Sequence, residues 1–256
     1  MASKFRLAIL ETDETPTSIS ETQGSYGEIV ERLVRRGFAQ AEGSVPELHI
    51  THWDVVKAQS YPRLDEIDGI FLTAGKYAAY DDYPWASKLI NFLKQSYGDR
   101  IPIMAICYGH QILAKALGGK VVKNPKGCEL SVTRIDLTPS GIDLFETDHL
   151  NLHQMHLDTV VDLPPGMQTL GSSAISEVQF MYEAGRVLGV QGHPEANGFI
   201  IKDNLDSRFK KNLIEAEEYE AALSKIDLEH DGDVFAKAIP KFLLDAVPKE
   251  GIACMS

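Results

Sequence analysis

Cysteine is scarce in this chain. Cys107, Cys128 and Cys254 are the only three in 256 residues, too few and too scattered for a disulfide framework or a four-cysteine zinc site. Positive charge is also short: 25 Lys and Arg stand against 37 Asp and Glu, a formal net charge of -12. That balance argues against general nucleic-acid binding and against an anionic membrane surface as partner. No apolar run approaches the roughly 20 residues of a membrane span, and the N-terminal stretch lacks the apolar core of a secretory signal. The expected compartment is a reducing cytosol, with the nucleus as a second location. Gly118-Gly119-Lys120 lacks both the earlier glycine and the following Ser or Thr of a phosphate loop. There is no G-x-S-x-G elbow and no dinucleotide fingerprint, so neither a serine hydrolase of that type nor a nucleotide cofactor is expected. Repeats, low-complexity tracts and linkers are missing too, and the expectation is one domain over residues 1–256.

What is present centres on Ile101-Pro102-Ile103-Met104-Ala105-Ile106-Cys107-Tyr108-Gly109-His110-Gln111. The isoleucine-rich run reads as a strand buried on both faces. It stops at Cys107, and Leu113, Ala114 and Leu117 then recur at helical spacing. Ala105 and Gly109 flank the cysteine two positions away, as a tight strand-to-helix turn requires if one side chain is to stand over a sheet end. A helix start favours a thiolate there. A buried core cysteine is the plainer alternative.

Around this stretch the chain alternates strand and helix. Strands are expected at residues 5–10, 47–53 and 69–73, and helices at 26–36, closed by Gly37, and at 84–98. Residues 11–24 read as a long polar loop, a length often tied to function. Residues 120–123, 129–137 and 169–174 read as short strands added antiparallel to one edge of the sheet. Residues 178–182 and 187–190 form a hairpin signal across Glu183-Ala184-Gly185-Arg186. Helices follow at 199–220 and 234–246. The whole reads as α/β: an open, mostly parallel twisted sheet with helices on both faces and antiparallel additions.

The second hairpin strand runs into Gln191-Gly192-His193-Pro194-Glu195. In such sheets functional groups collect beyond the carboxyl ends of strands, where Cys107 also sits. A histidine in reach of the thiol can take its proton, and a carboxylate can orient the imidazole. His149, His153 and His156 carry spacings that would suit a metal only on a helix, which residues 148–158 do not resemble, so no metal is expected. Tyr77, Tyr80, Tyr83 and Trp85 read as packing and loop anchoring. The acidic run 215–220 reads as a solvated helix face.

Residues Ala105 to Gln111 and Val190 to Glu195 together closely resemble the signatures of the class I, triad-type glutamine amidotransferases, in order and in spacing, over roughly residues 5–195. The resemblance implies a flavodoxin-like fold of that family. It implies Cys107 as nucleophile, His193 as general base and acid, and Glu195 as the orienting carboxylate. It matches Leu72-Thr73-Ala74-Gly75-Lys76 to a strand-end glycine loop, so that the N–H groups of Gly75 and Tyr108 form an oxyanion hole. It places Gln111, Met155 and His156 at the glutamine pocket. Ala105 and Ala74 stand where the family often has glycine, and Lys76 where many members have proline. The implied activity is hydrolysis of the γ-glutamyl amide of glutamine or a γ-glutamyl compound through a thioester, with no cofactor. The alternatives are a glutaminase subunit passing ammonia to a separate synthetase in trans, and a non-catalytic binding protein that keeps the fold. Residues 11–24 and 199–256 are candidate lids or docking surfaces.

Overall fold

A computed structural model describes residues 4–245; Cys254 and the rest of the tail lie outside the described residues. In chain order the first half comprises β1 (Lys4–Glu11), α1 (Thr17–Gln23), α2 (Tyr26–Ala39), β2 (Glu47–Asp54), β3 (Gly69–Leu72), α3 (Pro84–Gly98), β4 (Ile103–Ile106) and α4 (Tyr108–Ala116). The middle holds β5 (Lys120–Lys123), β6 (Glu129–Leu137), α5 (Pro139–Phe145), β7 (His149–His156), β8 (Asp158–Asp162) and β9 (Gly171–Ser172). The chain then runs through β10 (Phe180–Glu183), β11 (Val187–Val190), α6 (Gly198–Lys210), α7 (Ala216–Leu223) and α8 (Gly232–Asp245).

Six strands form the main sheet in the order β10-β11-β4-β3-β1-β2. Only the β10–β11 pair is antiparallel. The central strands are short apolar runs buried at every position, because helices cover both faces. Side-chain alternation on β1 divides the core. Phe5, Leu7 and Ile9 pack with α2 and α8, whereas Ala8 and Leu10 pack with α3 and α4. The α/β architecture expected from the strand-helix alternation is the one observed.

Four local expectations are corrected. Residues 11–24 are not all loop: α1 forms inside them, and its one buried side chain, Ile19, is too little to give a periodic signal. Gly37 does not end α2, which continues to Ala39. It marks instead a crossing with α8, where a Cβ would lie 2.1 Å from the Ala236 carbonyl oxygen. Pro240 inside α8 has no N–H to offer that carbonyl, so the carbonyl is free to lean on the neighbouring helix. The helix expected at 199–220 is two helices. Asn212 has φ 54° between them, and α7 restarts with a capping box made by Glu215 and Glu218. Finally, the middle strands do not extend the main sheet. β5 pairs with β8 as one small sheet, and β7-β6-β9 form another, with β9 only two residues long.

Candidate active site

The parallel register brings four strand ends to one edge. Leu10 pairs with Leu72, Leu72 with Ala105, and Val190 with Ile106. The residues that follow, 12–13, 73–76, 107 and 191–195, therefore emerge side by side.

Cys107 is the sharpest feature of that edge. Its backbone has φ 49° and ψ -108°, a region L-residues rarely enter, and it caps α4 directly. Its N–H donates to the Val190 carbonyl at 2.8 Å, and its carbonyl takes the first helical bond from Gln111 N–H at 3.0 Å. The strand on one side and the helix on the other hold the turn in place. Ala105, one of the departures from the family pattern, keeps ordinary strand torsions, so its methyl brings no strain.

His193 follows β11 and is fixed to β7 by its N–H, which donates to the His153 carbonyl at 2.8 Å. Its Nδ1 lies 2.9 Å from Glu195 Oε1. Its Nε2 has no hydrogen-bond partner among the described residues. Burial opposes the imidazolium, but the negative charge available at Cys107 and Glu195 outweighs it and pushes the His193 pKa up to about 10.

These three side chains line a cavity of about 600 Å³, with Gly75, Met155 and the inner face of α6 among its other walls. The volume falls within the range of small-molecule pockets. Among the described residues no acceptor takes the N–H of Gly75 or of Tyr108, so both are free donors. The Tyr108 ring packs away from the cavity against Tyr77 and Trp85, at centroid separations of 6.0 and 5.9 Å. This is the packing role expected for the aromatic group.

Gln111 and His156 do not line the cavity. Gln111 Nε2 donates to the Asp158 carbonyl and to Gln191 Oε1, both at 3.0 Å. His156 bridges Glu129 Oε2 and the Asp158 carbonyl, each at 2.9 Å. They belong to a buried polar network behind the wall, tying α4, β6, β7 and β8 to the segment that follows β11. Met155 does reach the cavity, and its carbonyl accepts from Arg208 Nη2 at 3.5 Å. His149, His153 and His156 lie on a strand, where odd and even positions face opposite ways. Among the described residues no group of three or more His, Cys, Asp or Glu is placed to hold a metal. No helix among them is long and apolar enough to cross a membrane.

Sequence reasoning missed Thr12 and Asp13. Thr12 is fully buried, and Asp13 bonds to Lys76 in the glycine loop. Their contacts reach across more than 60 residues, and nothing in the local polar run marked them out.

The family model for glutamine amidotransferase class-I matches residues 26–211. A glutamine amidotransferase-like protein of Schizosaccharomyces pombe is 33% identical over 254 residues, covering 94% of this chain and 99% of that protein. Gamma-glutamyl peptidase 2 of Arabidopsis thaliana is 26% identical, over 86% of this chain and 88% of that one. The crystal structure of a glutamine amidotransferase from Methylobacillus flagellatus superposes with a TM-score of 0.71 at 19% identity, covering 99% of this chain and 98% of that one. The structural likeness reports the fold alone. The family match covers most of the chain, and with it the chain belongs to the glutamine amidotransferase class-I family.

Proposed function

We propose that this protein hydrolyses the γ-glutamyl amide bond of glutamine or of a γ-glutamyl compound, with Cys107, His193 and Glu195 as its catalytic triad. Cys107 attacks the γ-carbonyl carbon as a thiolate. The carbonyl electrons move to oxygen, where the free N–H groups of Gly75 and Tyr108 receive them. The C–N bond then breaks, His193 gives its proton to the leaving ammonia or amine, and a γ-glutamyl thioester remains on Cys107. Water adds to the thioester while His193 takes its proton. Glutamate leaves and the Cys107 thiolate is restored beside imidazolium. Glu195 keeps the imidazole oriented and supports its positive charge through both half-reactions.

One observation carries this reading. Cys107, on a strained turn, shares a single cavity with a His193–Glu195 pair at 2.9 Å. The relative named as a gamma-glutamyl peptidase supports hydrolysis of γ-glutamyl compounds over ammonia transfer. The test is release of ammonia or amine from glutamine and from γ-glutamyl dipeptides by the pure chain, with Cys107→Ala as control. The expected result is turnover that falls at least ~1000-fold in the variant. Equal release by both proteins would remove the triad. Glutamine turnover that rises only with an added synthetase would instead make the chain a subunit acting in trans.

A further inference from the structure

We infer that Thr12 and Asp13, just beyond β1, are positioning residues that hold the Gly75 N–H in place for the substrate's γ-carbonyl oxygen. The inference rests on the reading of Gly75 as an oxyanion donor and adds to it what sets that donor's direction.

The N–H of Gly75 and the carbonyl of Ala74 belong to the same trans peptide unit and point opposite ways. Thr12 Oγ1 lies 3.0 Å from the Ala74 oxygen and 3.0 Å from the Thr73 oxygen, sharing its one proton between them. Drawing that carbonyl toward β1 turns the Gly75 N–H away from β1. The next peptide unit is fixed from the same side, because Lys76 N–H donates to Asp13 Oδ2 at 2.9 Å. Both planes that meet at the Gly75 Cα are therefore tied to two consecutive residues, with Thr73 Oγ1 donating a further bond to the Ala74 carbonyl at 3.1 Å. The Thr12 N–H adds a third tie, to Thr73 Oγ1 at 3.0 Å. The fit is close: a Cβ on Gly75 would come within 3.0 Å of the Thr12 carbonyl oxygen and 3.3 Å of the Tyr108 ring.

Asp13 also lines the cavity, which raises the rival role of reading a substrate ammonium. Its geometry favours the loop. The side chain is only 5% exposed. Oδ1 already accepts from Glu14 N–H at 2.7 Å and from Lys76 Nζ at 2.6 Å, and Oδ2 is taken by Lys76 N–H. Lys76 neutralises the buried carboxylate from the solvent side, so this charge is paired as buried charges generally are.

Thr12→Val, Asp13→Ala and Asp13→Asn test the inference, using whichever γ-glutamyl substrate the wild type turns over. Thr12→Val and Asp13→Ala are expected to lower kcat by ~10–100-fold with KM nearly unchanged, as for a displaced rather than deleted oxyanion donor. Asp13→Asn keeps one acceptor oxygen for the Lys76 N–H but turns an NH2 toward the Glu14 N–H and Lys76 Nζ, and is expected to retain more of the wild-type kcat than Asp13→Ala does. Alkylation of Cys107 by chloroacetamide builds no oxyanion, so its rate is expected to stay at the wild-type level in all three. Asp13→Ala and Asp13→Asn raising KM alike with kcat intact would make Asp13 a substrate contact and overturn the inference. Alkylation falling in step with kcat would overturn it too, by locating the damage in the Cys107–His193 pair. Amide hydrogen exchange at Lys76 decides the latch without any turnover: slow in wild type and fast in Asp13→Ala is expected, and equal rates would refute it. A wild type inert on every γ-glutamyl compound, with the exchange difference intact, would sink the proposed activity and leave the latch standing.

Discussion

Cys107 sits at φ 49°, and at that backbone position every side chain with a Cβ is strained. Such a conformation costs about 1–3 kcal/mol and persists only where neighbours over-determine it. Here the Val190 carbonyl and the first turn of α4 do so. Removing the thiol and removing the strain can be separated. Cys107→Gly relieves the torsion and Cys107→Ala does not, so the glycine variant is expected to be more stable than the alanine variant by about 1–2 kcal/mol in urea unfolding. An alanine variant as stable as the glycine one would mean that the turn stores no strain. The cysteine was legible as a strand-end residue because the apolar run and the helical spacing around it are local. His193 and Glu195 were legible as strand-end residues because they closely follow β11. Gln111 and His156 were expected at the pocket, and their place in a buried network behind its wall was hidden for the converse reason: their burial is decided by β6, β8 and the segment after β11 closing over them, which their own neighbours in sequence do not reveal.

At the scale of elements, α2 and α8 cross at Gly37, where the Ala236 carbonyl occupies the space a side chain would need. Gly37→Ala is expected to destabilise the protein by about 1–3 kcal/mol through overpacking, read from the denaturant midpoint. A neutral result would show that the crossing has room to give. The same residue shows why some of the fold was hidden. A glycine after an apolar stripe reads as a helix stop, and only the partner 199 positions further on, Ala236, shows it to be a contact. The main sheet was readable because each central strand is a short run buried on both faces. In the middle, β5, β6 and β9 were readable as strands but not by sheet, and β7 and β8 were not read as strands at all, since pairing is a matter of register between distant segments. Helix α1 escaped notice because it buries a single side chain.

Over the whole molecule, two buried histidines that the fold keeps neutral contribute to the dependence of stability on acid pH. His110 is pushed down to about 3 by burial and then by His156, with no partner for either ring nitrogen. His153 is pushed down to about 4 by burial and then by His230 and His193. Below the ordinary histidine value near 6.5 the unfolded chain binds protons that these two sites refuse. Their contribution is therefore complete above that value and falls as pH drops through the window beneath it, by about 1.4 kcal/mol per pH unit for each group. Urea midpoints measured from neutral pH down to about pH 5 are expected to fall, and to fall less steeply in His110→Met. An identical slope in that variant would mean that His110 is protonated in the folded chain.

The same fold places the Cys107 side chain on the wall of a cavity of about 600 Å³ that His193, Glu195 and Gly75 also line. The direct test of that arrangement is mass spectrometry of the chain quenched in acid during turnover of a γ-glutamyl substrate. The expected result is a γ-glutamyl group on the peptide containing Cys107, absent in Cys107→Ala. Undiminished turnover in Cys107→Ala, with no adduct on the wild-type cysteine, would contradict it.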